Sequence, residues 1–167
     1  MKCKTTRSGD VELTLDEAEL ELLRAIPEQL RQLYDAPADD PARARLFPRA
    51  YLDPTEERSE QEWEALAHPA LLRERIDGLN RLLAGLERAE PRRGGVRTSL
   101  APEEVSVWVA VLNDARLALG TRLGITDETD LRWIARDDPQ GPEKAAYGWL
   151  TALQGELVEA LLGALPD

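Results

Sequence analysis

The segment from Glu103 to Leu123 constrains this chain more than any other. Val105, Trp108, Leu112, Leu119 and Leu123 recur at helical spacing on one side, and Val107, Val109 and Val111 cover much of the rest. A helix that is apolar nearly all round has to be enclosed by other elements. The expected fold is therefore α+β and mainly α, with four to five helices around a central buried helix over 103–123. Gly124 follows as a natural C-terminal stop.

The enclosing elements are legible as periodic stripes. Leu22, Leu23, Ile26, Leu30, Leu33 and Tyr34 predict a helix over 17–34, opened by a capping box of Asp16 and Glu19. Pro27 lies inside it and should kink it near Leu23 or begin a second helix. Leu72, Ile76, Leu79, Leu83 and Leu86 predict a helix over 69–88, preceded by a short helical stretch over 60–66 that ends before Pro69. Ala146, Trp149, Leu150, Leu153, Leu157, Val158 and Leu161 predict a last helix over 142–162.

The first fifteen residues read as a hairpin over 2–15. Arg7-Ser8-Gly9-Asp10 form the turn, and Val11, Leu13 and Leu15 share one face of the second strand. A third strand over 96–100 follows Gly94-Gly95, with Val96, Thr98 and Leu100 inward. Two strands alone are marginal, so the three are expected to form one small antiparallel sheet. Residues 35–60 are polar and carry Pro37, Pro41, Pro48 and Pro54. They read as a variable connector with one short helix near 42–46, pinned to the core by Phe47, Tyr51 and Leu52.

Composition narrows the function. At 167 residues, the chain is expected to be a single domain over 1–167. There is no run of about 18 apolar residues for a membrane span, and no apolar stretch behind Lys2 and Lys4 for a secretory signal; a cytoplasmic protein is expected. One cysteine and one histidine exclude an intrachain disulfide, a Cys-based zinc cluster and a His-rich metal site. Phosphate-loop, dinucleotide-binding, metalloprotease and nucleophile-elbow motifs are missing. No catalytic residue, metal or cofactor is expected. Net charge is −11, so duplex nucleic acid is repelled unless the cations gather on one face. The best candidates are Lys2, Lys4 and Arg97 on the outer face of the sheet, with Arg92 and Arg93 just before it and Glu12 among them. Specific DNA binding by the chain alone is not expected.

Few residues offer chemistry. His68 reads as an exposed neighbour of a helix start at Pro69. The acidic runs at 56–57, 60–64 and 127–130 lack Ca²⁺-loop spacing and read as solvated faces. Cys3 is the redox candidate: it should share the inward face with Leu13, while Lys2 and Lys4 flank it and would favour the thiolate. The central helix holds the richest cluster, Asn113, Asp114, Arg116, Thr121 and Arg122. Polar groups in a buried helix need partners. Three readings stay open: internal ion pairs and hydrogen bonds, an anion site built on Arg116 and Arg122, or a protein-interaction surface. Arg116, Gly120 and Gly124 form a line along which a second helix can approach closely.

The string from Asn113-Asp114-Ala115-Arg116 to Leu119-Gly120-Thr121-Arg122-Leu123-Gly124, followed by Tyr147-Gly148-Trp149-Leu150-Thr151 and Gln154, closely resembles an actinobacterial family first catalogued as a domain of unknown function and now named for AosR-type oxidative-stress transcriptional regulators. The resemblance spans the whole chain. It implies a cytoplasmic, non-enzymatic regulator working through a protein partner, a sigma factor or RNA polymerase. It also implies a weaker link to proteolysis through a Clp adaptor, and sensing by a cysteine pair. Here Cys3 has no second cysteine, so the disulfide switch is not expected to carry over. A proteolysis-linked adaptor or scaffold and a small-molecule sensor using Arg116 and Arg122 are the alternatives. A homodimer is a further possibility.

Overall fold

In the computed structural model, which describes residues 1–51, 53–131 and 134–163, the strands form one antiparallel sheet. β1 (Lys2–Thr5) pairs with β2 (Val11–Leu15), β3 (Glu90–Arg92) pairs with β4 (Gly95–Leu100), and the order is β1-β2-β4-β3. Val11, Leu13 and Leu15 are at most 1% exposed, and Thr98 and Leu100 join them on the covered face. The sheet therefore has four strands rather than the three expected. β3 lies between the helix expected over 69–88 and the strand expected over 96–100; its three residues are all exposed and carry no apolar alternation to signal a strand. Register pairs Arg92 with Gly95, so Arg93 and Gly94 make the reversal and Gly94 takes φ 82°. Gly95 is required for contact: a Cβ there would stand 1.9 Å from the Leu15 carbonyl oxygen.

Five α-helices are present among the described residues: α1 (Glu17–Tyr34), α2 (Pro41–Leu46), α3 (Glu57–Glu87), α4 (Pro102–Leu123) and α5 (Gly141–Gly163). α4 is central and packs against α5, α2 and α3. Its Trp108 is fully buried, and Gly85 of α3 leaves room for the indole: a Cβ at Gly85 would lie 2.9 Å from it. The Thr98 hydroxyl donates to the Gly85 carbonyl at 2.8 Å, tying sheet to helix beside the same indole.

α1 opens with the expected capping box. Glu19 N–H donates to Asp16 and Asp16 N–H donates back to the Glu19 carboxylate, both at 2.9 Å. The helix continues through Pro27, so no second helix begins there. At α4 only half of such a box is possible. Ala101 N–H donates to Glu104 at 3.1 Å, but Ala101 has no side-chain acceptor to return the bond.

Two expectations fail at α3. The stretch over 60–66 and the helix over 69–88 are one 31-residue helix, and the connector ends near 56 with a 3-10 turn over Pro54–Glu56. Pro69 removes the bond to the Ala65 carbonyl, but both residues are exposed, so water can solvate that carbonyl and the helix continues. His68 is consequently not beside a helix start; it is half-buried in mid-helix, its ring 4.8 Å from that of Phe47. Of the residues expected to pin the connector, Phe47 packs on the core, Tyr51 is 41% exposed, and Leu52 lies outside the described residues.

Candidate functional site

The polar centre of the molecule forms where α1, α2, α3 and α4 meet. Each contributes for a local reason. Tyr34 ends the buried stripe of α1, Arg75 sits beside Ile76 on the core-facing side of α3, and Asp114 lies among the buried positions of α4. The Arg75 guanidinium donates to the Asp114 carboxylate with one nitrogen, and to the Leu46 carbonyl of α2 at 2.9 Å with the other. The Tyr34 hydroxyl donates to the same Asp114 oxygen at 3.1 Å. Phe47 closes the site: Arg75 lies 4.9 Å from its ring centre and Tyr34 meets it edge-on at 5.6 Å.

These charges consume one another. Burial works against the Arg75 cation, but the hydrogen bond and charge of Asp114 outweigh it and hold its pKa above the usual arginine value. Burial, followed by the Asp114 charge, drives the Tyr34 phenol far above its ordinary range. The phenol and the ion pair tie α1, α2, α3 and α4 to one another at this point. The pair also borders an open groove of about 660 Å³ between α3 and α4, lined by Leu71, Glu74, Gly78, Val107, Ala110 and Asn113 among others.

Most of the motif residues make contacts within the chain. Asn113 accepts from Arg116 at 3.4 Å, and Gln154 of α5 donates to the Val109 carbonyl at 3.3 Å. Gly120 lets α5 approach, since a Cβ would stand 2.9 Å from the Tyr147 ring. The Thr121 hydroxyl donates back to the Leu117 carbonyl at 2.8 Å, and Gly124 caps α4 at φ 63°. The Trp149 indole N–H donates to Glu19 at 2.9 Å, where the Met1 ammonium also lands at 2.6 Å. Arg122 is exposed and pairs with Asp40 at 2.8 Å. It borders an apolar pocket of about 300 Å³ between α1, α4 and α5, whereas Arg116 stands about 120° away around α4.

Cys3 is half-buried opposite Leu13, as its place in the strand predicts, but its thiol is not activated. Burial and the nearby Glu156 carboxylate raise its pKa, while Lys2 and Lys4 lie on the opposite face of the strand. On that outer face Arg97 reaches Glu12 at 3.2 Å and Glu90 at 3.4 Å. The basic stripe considered from sequence is therefore interrupted by two carboxylates, the second supplied by the strand the sequence reading missed. That reading placed Tyr34 on the α1 stripe and Glu19 in the capping box but gave neither a partner on another element, and it did not single out Arg75 or Gly85.

Residues 1–161 match the model of a family described as Domain of unknown function (DUF2017). Two proteins named "Oxidative stress regulator AosR", from Mycobacterium bovis and Mycobacterium tuberculosis, are each 32% identical over 132 residues, covering 75% of this chain. The chain spans about 60% of the length of these curated relatives. No solved structure matches significantly.

Proposed function

Since the chain belongs to the DUF2017 family, we propose that it is a non-enzymatic regulator of the oxidative-stress transcriptional response. It acts in the cytoplasm through protein–protein contacts, with a sigma factor or RNA polymerase as partner. The names of the mycobacterial relatives supply the physiological context. The observation that carries the mode of action is the use of the family motif. Its Asp114, Asn113, Gln154 and Trp149 all take hydrogen-bonding partners inside the chain. A motif used internally supports a scaffold whose output is its exterior, not a reaction at its centre. With one cysteine, no internal disulfide can form in this sequence, so oxidant sensing belongs to the partner or to an intermolecular step.

The test is affinity purification of the tagged chain from its native host, with and without peroxide. Co-purification of a sigma factor or polymerase supports the proposal, and Clp components instead would establish a proteolysis adaptor. Recovery of the chain alone under both conditions would count against both. A second reading, a small-molecule sensor, draws on the apolar pocket bordered by Arg122. Thermal shift with small carboxylates, compared between the wild type and Arg122→Ala, separates it from the first.

A further inference from the structure

The solvent-facing side of α3 carries an order of charges that is its own complement. Leu72, Ile76, Leu79, Leu82 and Leu86 hold the helix to the core. Further round the helix, Arg58, Glu62, Leu66, Pro69, Arg73 and Asp77 succeed one another at steps of three and four, within an arc about 100° wide and about 28 Å long, with Arg58 and Asp77 at its opposite edges. All six are exposed, and Leu66, at 83%, is the most exposed large hydrophobic among the described residues. In order they read cation, anion, apolar, apolar, cation, anion.

A second copy of this helix laid antiparallel about a twofold axis between Ala67 and His68 brings opposites together. Glu62 falls opposite Arg73 of the second copy and Leu66 opposite Pro69, and each pairing occurs twice by symmetry, while Arg58 and Asp77 stay at the rim on opposite edges of the stripe. In an antiparallel pair one flank of a helix meets the same flank of its mate, so the residues near the midline of this stripe, Glu62, Leu66, Pro69 and Arg73, can meet. A parallel arrangement in register would instead set Arg58 against Arg58 and Glu62 against Glu62. Within the chain, Arg58 already reaches Glu62 at 2.9 Å, so the paired stripes would form a charge network rather than isolated contacts.

We propose that this face of α3 is a self-association surface, through which two copies of the chain pair antiparallel with Leu66 at the centre and Glu62–Arg73 pairs on either side. This is independent of any heteromeric partner and of the proposed function.

The decisive experiment is charge exchange in the intact chain, under reducing conditions so that Cys3 cannot cross-link. Sedimentation velocity over a concentration series should show a monomer–dimer equilibrium for the wild type. Glu62→Arg alone and Arg73→Glu alone each turn two attractive pairs into repulsive ones and should raise the dissociation constant by about tenfold. The double variant Glu62→Arg/Arg73→Glu restores opposite signs and should return it close to the wild-type value. Far-UV circular dichroism checks that each variant is folded, as expected for exposed positions. A wild type that stays monomeric throughout, single reversals without effect, or a double variant no better than the singles would each overturn the proposal.

Discussion

Asp114 shows at the scale of one residue how a polar side chain of a buried helix is satisfied by other helices. Its carboxylate takes the Arg75 guanidinium and the Tyr34 hydroxyl, both brought by other helices. Removing it leaves a half-buried cation without its anion, which costs about 3–5 kcal/mol. Asp114→Ala should therefore lower the urea unfolding free energy by that amount, while Asp114→Ala with Arg75→Met should recover part of it. Arg122 belongs to the same string but meets Asp40 at the surface, where ion pairs contribute about 0–1 kcal/mol. Arg122→Ala should barely move the same curve. Equal losses for the two single variants would contradict this division. Cys3 makes the second prediction at this scale. Its folded pKa lies above the ordinary thiol value, so its thiolate is scarcer at neutral pH than in the unfolded chain. Alkylation by iodoacetamide at pH 7.5 should be slower for native than for urea-unfolded protein, and peroxide should leave the monomer's circular dichroism unchanged. Native alkylation as fast as unfolded would show that the Lys2 and Lys4 charges win after all.

Between elements, the glycines separate contact from mere flexibility. Gly85 faces the fully buried Trp108 indole with no room for a methyl group, and the indole is itself enclosed by core. Gly85→Ala should destabilise by about 1–3 kcal/mol through overpacking and shift the tryptophan emission. Gly155, in the middle of α5, has nothing within 4 Å of where a Cβ would stand and is exposed. Gly155→Ala should instead stabilise by about 0.5–1 kcal/mol, because alanine has less backbone freedom to lose. Chemical denaturation of the two variants side by side tests the pair. Opposite signs are expected, and two losses of the same size would mean that helix packing at α5 is tighter than its geometry indicates.

For the whole molecule, stability depends on carboxylates that prefer to be ionised in the folded state. At Glu19, burial favours the protonated form but is outweighed by the Met1 ammonium, the Asp16 N–H and the Trp149 indole. At Glu104, burial is outweighed by the Ala101 N–H and Arg88. Both pKa values lie below the ordinary one, so their contribution is present above about pH 4.3 and is lost as pH falls through the lower folded values. The unfolding free energy should drop steeply below about pH 4.3, and Glu104→Gln should flatten that limb when urea curves are recorded from pH 7 to pH 3. A limb unchanged in the variant would place the acid sensitivity elsewhere. The same charge distribution sets the last expectation. With a net charge of −11 and Arg97 held between Glu12 and Glu90, the isolated protein should give no sequence-selective mobility shift on promoter duplexes at physiological salt. A tight, selective shift without a partner would relocate its function to the outer face of the sheet.

Much of this architecture was written in local periodicity. The stripe of α1, the all-round apolarity of α4 and the alternation of β2 each state how much of a segment avoids water, and the Gly124 stop states where α4 ends. Periodicity says nothing about elements that hide no apolar face. β3 is three exposed residues, and the first half of α3 is mostly exposed, so one was missed and the other was cut at Pro69. Nor does it say which polar group meets which. Asp114 was recognisable as a carboxylate needing a partner, but Arg75 lies 39 residues away and Tyr34 80, on helices whose packing alone sets the distance. A chain encodes the face it must bury through its neighbours at three and four positions. The pairing of its buried charges is decided only when those faces close on one another, because an ion pair exists only where two elements meet.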